Sequence, residues 1–245
     1  DGVSTKNTLG QGLGAMKRLS DVFQVYSQKD WGTVILIRLF KESLPHYKKL
    51  PKEEIRSVVL PKPGETACGD GFYSLITKEH IKVFLGDGLG HGPEAANAVI
   101  EAGKAFLNCD ETSPPEIIRH LNNEVKKTRG LVGTVGVFDL QEKKWRICGV
   151  GNISTKITSP ASAKNIMPYN GIIGLNVPRT LTSQQIEYEK GQSLIMCSDG
   201  IVSKWDTVKY AAIQRYDGSV LSAALLKDYA RLTDDMSVAV CKINL

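Results

Sequence analysis

The sequence predicts an α+β fold of two antiparallel sheets stacked face to face and covered by helices, with a small N-terminal appendage of glycine turn, helix and hairpin. Three observations predict it. Strand-like apolar runs follow one another with short polar turns between them. Helical apolar periodicity comes once as a pair, over 95–106 and 117–125, and again near the end over 220–229. The last run, Met236 to Ile243, is apolar on both faces, as an interior strand is. Helices that each carry one apolar face need a sheet to bury it against, which gives the layered arrangement.

In order, Leu9-Gly10-Gln11-Gly12-Leu13-Gly14 reads as a glycine turn and Ala15 to Asp21 as a short helix. Such a turn either cradles phosphate on free N–H groups or is only a tight turn. Phe23 to Tyr26 and Thr33 to Phe40 alternate as two strands joined through Lys29-Asp30-Trp31-Gly32. The charged stretch 41–53, with Pro45 and Pro51, reads as a linker, and Ile55 to Leu60 as the first strand of a domain over 54–245. Gly71 to Thr77 and His80 to Leu85 form strands around a Lys78-Glu79 turn. Pro93 is placed to open a helix at its first position, and Ser113-Pro114-Pro115-Glu116 reads as a capping box for the next. Leu131 to Leu140, Trp145 to Val150 and Ile153 to Thr158 read as a meander. Ser159 to Arg179 reads as a long loop and Leu194 to Cys197 as a short buried strand. The final helix has Asp217 or Ser219 as its cap.

Composition excludes several classes. With 42% hydrophobic and 23% charged residues, a chain of 245 residues can bury a full core and is not disordered. No apolar run approaches the ~18 residues of a membrane span, and the start lacks a basic segment leading into an apolar one, so neither membrane spanning nor secretion is expected. Five scattered cysteines, an odd number without a CxxC pair, predict free thiols in a reducing cytoplasm. The net charge of +5 tolerates acidic or phosphorylated partners, but the basic residues are dispersed and lack interleaved aromatics, so no nucleic-acid partner is expected. The sequence is compatible with a homodimer.

The chemistry concentrates in Phe84-Leu85-Gly86-Asp87-Gly88-Leu89-Gly90-His91-Gly92, where an apolar run ends in a carboxylate and a glycine-rich turn. Cys68-Gly69-Asp70-Gly71, Cys197-Ser198-Asp199-Gly200 and Thr233-Asp234-Asp235-Met236 repeat part of it. Singly, an aspartate before glycine is usually a turn. Together, all four stand at edges of strand-like runs. If Asp70, Asp87, Asp199 and Asp234 met ~5 Å apart, each pair would repel by ~3 kcal/mol at an effective dielectric of ~20. Such a cluster needs protons or cations, and an all-oxygen donor set selects two Mg²⁺ or Mn²⁺ ions over zinc. Gly88 can offer its carbonyl to a metal, while Gly71 and Gly200 admit close backbone approach.

These four motifs, GDGFY, LGDGLGHG, CSDG and TDDMSVAV, resemble in order and spacing the metal-dependent protein phosphatases (PPM, or protein phosphatase 2C, superfamily), and among them the SpoIIE-type bacterial branch. The resemblance runs from about Ile55 to Leu245. It implies an αββα sandwich, Mn²⁺ or Mg²⁺, and phosphoserine or phosphothreonine substrates, with STAS-type regulators of sigma factors or stress signalling as partners. By position it makes Asp87 the bridging ligand, Gly88 the carbonyl ligand, and Asp70, Asp199 and Asp234 the other acidic ligands. Asp235, where many relatives carry asparagine, falls outside the ligand set. Leu89 stands where eukaryotic relatives place a histidine. His91, two positions on, is either a general acid or a helix-opening residue that bonds backbone. No arginine near the domain start presents itself as a phosphate clamp.

GQGLGAMKRLSD with VYS and WGTVILI resembles the C-terminal end of a GHKL-type ATPase domain over some 40 residues. The asparagine and aspartate that bind magnesium and adenine in that family are missing, so residues 1–40 are expected not to bind ATP alone and to pack on another surface. Two other readings stay open: a phosphoprotein-binding scaffold without turnover, and a nucleotide-binding module.

Overall fold

A computed structural model describes residues 12–42, 53–159 and 162–245. Gly10, and Pro45 and Pro51 of the expected linker, lie outside the described residues. The elements are α1 (Gly12–Leu19), β1 (Val22–Gln28), β2 (Gly32–Arg38), β3 (Glu53–Leu60), β4 (Asp70–Ile76), β5 (His80–Gly88), α2 (Pro93–Leu107), α3 (Pro114–Glu124), β6 (Leu131–Asp139), β7 (Lys144–Val150), β8 (Ser154–Thr158), β9 (Ala163–Ile166), β10 (Gln184–Glu187), β11 (Ser193–Cys197), α4 (Gly218–Tyr229) and β12 (Met236–Ile243). One five-stranded sheet has the order β10-β7-β6-β5-β4, a second β3-β12-β11-β8-β9, and β1-β2 stands apart as a hairpin. Every pairing between these strands is antiparallel.

The period-two alternation of the strands builds the sandwich. Ile81, Val83 and Leu85 of β5 face the second sheet and bury against Ile157, Leu194, Met196 and Cys241. Between them, Phe84 points the other way and packs under Val99 and Phe106 of α2 and Ile117 and Leu121 of α3. On the far side, Val220, Leu221, Ala224 and Leu225 of α4 cover Ile195, Val238 and Val240. The result is the αββα order, with 0% exposure at most of these positions.

Several expectations need correction. The first helix takes in Gly12-Leu13-Gly14, so this part of the supposed glycine turn is helical, and it ends at Leu19. Ser113 caps α3 with no side-chain hydrogen bond, and prolines fill the first two helical positions. Glu116 pairs instead with Arg119. The meander breaks after β7: at Gly151 (φ 105) the chain leaves the first sheet, and β8 pairs with β11 in the second. The expected long loop contains β9, paired to β8, and β10 adds an edge strand that the sequence reading lacked. Asp217 is the cap of α4, accepting from Ser219 N at 2.9 Å.

The N-terminal hairpin packs on α4. Tyr26 is 4% exposed, in contact with Trp31, Val34 and Leu36 in the α4 cluster. Trp31 Nε1 donates to Asp228 Oδ2 (2.8 Å), and Arg38 meets Asp217 in a two-pronged pair (2.7 and 2.9 Å).

Candidate metal centre

The carboxylates gather at one end of the sandwich because each sheet ends there on an acidic turn. In the first sheet the β4–β5 register sets Asp70 directly opposite Asp87, which places their Cβ atoms ~5 Å apart. In the second, β11 and β12 pair side by side, and their acidic turns (Asp199 after one, Asp234 before the other) emerge together. Ser198 N donates to Ser237 O, and Ser237 N to Ser198 Oγ (3.2 and 2.9 Å), which fixes these turns to each other. Gly88 and Gly200 are where backbone must come closest. A Cβ on Gly88 would sit 2.3 Å from Ala95 O at the start of α2, and one on Gly200 would sit 1.9 Å from Asp235 O.

Electrostatics joins the four. Burial first, then the negative charges of Asp70, Asp199, Asp234 and Asp235, pushes the Asp87 carboxyl up to about 9. Burial likewise pushes Asp70 up to about 7, with Asp235 and Asp199 adding to it. The Ser198 and Ser237 hydroxyls pull the other way, yet neither closes a hydrogen bond: both Asp70 carboxylate oxygens are buried and unpartnered. Asp70 is 5% exposed. A buried carboxylate with no donor is costly unless a cation meets it, so the residues fit the divalent ion that their chemistry implies. Even so, among the described residues no three acidic, histidine or cysteine side chains form a ready-made cation cage. Asp199 Oδ2 accepts from Asn152 Nδ2 (2.9 Å), and Asp234 Oδ1 from Asp235 N (2.9 Å).

Asp235 does a different job. Its two oxygens accept from Lys62 N and Gly69 N, each at 2.8 Å, so it ties the β12 turn to the chain leading into β4. At 3% exposure with both oxygens engaged, it braces the turn that carries Asp70. His91 stands outside the cluster. Its half-exposed ring bonds Glu65 Oε1 through Nδ1 (2.7 Å), and the charges acting most strongly on Asp70 and Asp87 are those of other aspartates.

Sequence reasoning missed Asn152, Arg129 and Arg231. Arg129 locks the β5–α2 turn, donating to Leu89 O and Glu94 Oε2 (3.0 and 2.6 Å). Arg231 lines a cavity of ≈ 260 Å³ together with Asp199 and Asn152. None of the three stands in a motif; only strand pairing across the sandwich brings them here.

Comparison with known proteins identifies the family and the fold. Residues 77–244 match the family described as Stage II sporulation protein E (SpoIIE), more than two thirds of the chain. The phosphoserine phosphatase RsbX of Bacillus subtilis (strain 168) is 26% identical over 152 residues, 61% of this chain and 76% of its own. A chain solved in work on the bacterial stressosome, described as a modular system adapted to control secondary messenger signaling, superposes with a TM-score of 0.73 at 30% identity, over 78% of this chain and 100% of its own. RsbX in complex with magnesium superposes at 0.69 and 20% identity, over 91% of this chain and 100% of its own. The PP2C phosphatase domain of SpoIIE from Bacillus subtilis superposes at 0.61 and 19% identity, over 78% and 62%. The chain therefore belongs to the SpoIIE family and has the fold of the PP2C phosphatases.

Proposed function

We propose that the acidic end of the sandwich holds two divalent cations, Mn²⁺ or Mg²⁺, and hydrolyses the phosphoserine or phosphothreonine of a STAS-type regulatory protein in sigma-factor or stress signalling. The observation that carries the reading is Asp70: a buried carboxylate without a donor, facing Asp87, in the field of two further aspartates. In this reading Asp87, as the shared ligand, with Asp70, Asp199, Asp234 and the Gly88 carbonyl, would hold the ions, and Asp199 would give up Asn152 to do so. The ions supply a water acidified toward neutral pH and charge neutralisation at the phosphoryl group. Asp235 holds the Asp70 turn in place through Gly69 N. His91, paired to Glu65, delivers a proton to the leaving oxygen only if that pair opens.

The substrate class rests on likeness: the RsbX relative is a phosphoserine phosphatase, and another similar chain was solved in work on the bacterial stressosome. We read residues 1–40 as a partial GHKL-like segment, 41–53 as a linker and 54–245 as the phosphatase domain, acting in the cytoplasm, with homodimerisation open to a sedimentation measurement. Free cysteines, four of them buried, support a reducing compartment, and among the described residues no helix is long and apolar enough to cross a membrane. A p-nitrophenyl phosphate assay tests the centre. The full chain should turn over only with Mn²⁺ or Mg²⁺, and Asp87→Asn should lower kcat about a hundredfold or more. A metal-independent rate, or an unaffected mutant, would refute it. Phosphoprotein binding without any turnover would leave a scaffold.

A further inference from the structure

Phosphatases of this chemistry need something to hold the phosphoryl oxygens that the metals do not reach, and no arginine near the start of the domain is free to do so. Arg56 on β3 is bound to Asp217, on α4's side of the sandwich. Arg129 is committed to Leu89 O and Glu94. Arg231 differs from both. Its main chain is fixed to the acidic turn: Arg231 N donates to Gly200 O at 2.8 Å, and Ala230 bridges Ile201. Among the described residues, no hydrogen bond or ion pair engages its guanidinium, which is exposed. It opens into the ≈ 260 Å³ cavity that also takes in Asp199, Asn152 and the hydroxyl-bearing Ser154, Ser198 and Ser203.

We infer that Arg231 is the phosphate-binding arginine of this enzyme, a guanidinium supplied from the α4–β12 connection that clamps the phosphoryl group beside Asp199. The inference rests on the phosphatase reading above and adds a substrate-binding residue to it. A planar guanidinium offers paired N–H donors matched to two phosphoryl oxygens. An unengaged guanidinium one main-chain bond from an acidic turn is placed to share a dianion with cations held there. The space also runs on past the clamp. Asn152, Ser154 and Ser203 line a second groove of ≈ 370 Å³ that continues to Lys204 and Met167. An open groove leading away from the phosphoryl position suits a phosphorylated side chain on a polypeptide better than a small enclosed metabolite.

The test uses the manganese-loaded full chain. Arg231→Ala keeps the main-chain bond to Gly200, so the acidic turn is preserved. It should raise KM for p-nitrophenyl phosphate and for a phosphoserine peptide by about tenfold or more, and weaken orthophosphate binding measured by calorimetry by a similar factor. Arg231→Lys should recover part of both. Mn²⁺ affinity without phosphate, and the melting temperature, should match wild type. Equal orthophosphate affinity in wild type and R231A overturns the assignment, and so does a parallel loss of Mn²⁺ affinity, which would make Arg231 a support of the Asp199 turn. If wild type proved inactive, the phosphatase reading would fall, while the orthophosphate titration would still decide the clamp.

Discussion

Asp70 has both carboxylate oxygens cut off from water and unbonded, and Asp87 faces it across the strand pair. Without cations this arrangement works against folding, since each ionised group is desolvated and meets its neighbours' charge. With its carboxyl pushed up to about 9, Asp87 must take up a proton to fold without cations at pH 8, a cost that the isosteric, already uncharged asparagine does not carry. Asp87→Asn should therefore stabilise the cation-free protein by on the order of 1–3 kcal/mol at pH 8, raising its melting temperature in EDTA by ~2–4 °C per kcal/mol, even as it lowers kcat. Calorimetric melts of both proteins in chelator check this. A lower midpoint for the mutant would mean that Asp87 is a structural acceptor and not a repelled ligand. At this scale Asp70, Asp87 and Asp199 stood out because each sits beside glycine at the edge of an apolar run, and Asp234 because it stands two residues before one, a local pattern. Asp235 was placed outside the ligand set, and the structure shows why it differs, with both oxygens occupied by Lys62 N and Gly69 N. Arg231 left no such signal: an arginine among surface residues becomes distinctive only once Gly200, 31 positions away, lies against it.

At the scale of elements, the N-terminal hairpin, β3 and α4 are locked together by Asp217. It caps α4 through Ser219 N, takes Arg38 of β2 at 2.7 Å and receives Arg56 of β3 at 3.3 Å. Burial alone would raise its pKa, but the hydrogen bond from Arg38, those from Ser219 and the charge of Arg56 outweigh it and hold the carboxyl well below the usual carboxylate range. The sign follows from linkage. A depressed folded-state pKa gives stability that is complete above the unfolded carboxylate value of 3.8 and drains away as pH falls toward the folded one. Asp217→Asn should cost about 2–3 kcal/mol at pH 7, less than a fully buried pair because both arginines are partly exposed, and should flatten the loss of stability between about pH 5 and 2. Urea denaturation across that range measures both. Parallel acid limbs in mutant and wild type would refute the lock. The two strands of the hairpin were readable from alternation, and the need for it to pack elsewhere from its small size. Its partner was not readable, since Arg38 and Trp31 meet residues 179 and 197 positions further along the chain. The capping box did not form: Ser113 makes no side-chain cap bond, and Glu116, whose side chain would have reached back to the Ser113 N–H, pairs with Arg119.

Across the whole molecule, the acidic end is where the two sheets of the sandwich answer to one another. Asp70 and Asp87 belong to one sheet, Asp199 and Asp234 to the other, and the Asp235 contacts to Gly69 N and Lys62 N help hold the two together here. The layered architecture could be read from the order and periodicity of the runs, but the crossing of β8 into the second sheet could not, because a glycine turn at 151 serves a meander and a sheet change equally well in sequence. That crossing has a functional consequence, since it brings Asn152 to Asp199 and opens the groove beside Arg231. On the proposed ligand set, carboxylates from both sheets would let bound cations staple the layers together as well as serve the reaction. Because a cation bound there favours the folded state alone, Mn²⁺ at about a hundred times its dissociation constant should add ~2.7 kcal/mol of stability, a rise of about 5–10 °C in melting temperature for a chain of this length. Excess EDTA should reverse it. Asp199→Asn, which removes a proposed ligand from the second sheet only, should reduce the shift by at least half and leave the melting temperature in chelator unchanged or higher. An undiminished shift in that variant would place the cations on the first sheet alone, and the two-sheet centre would have to be abandoned.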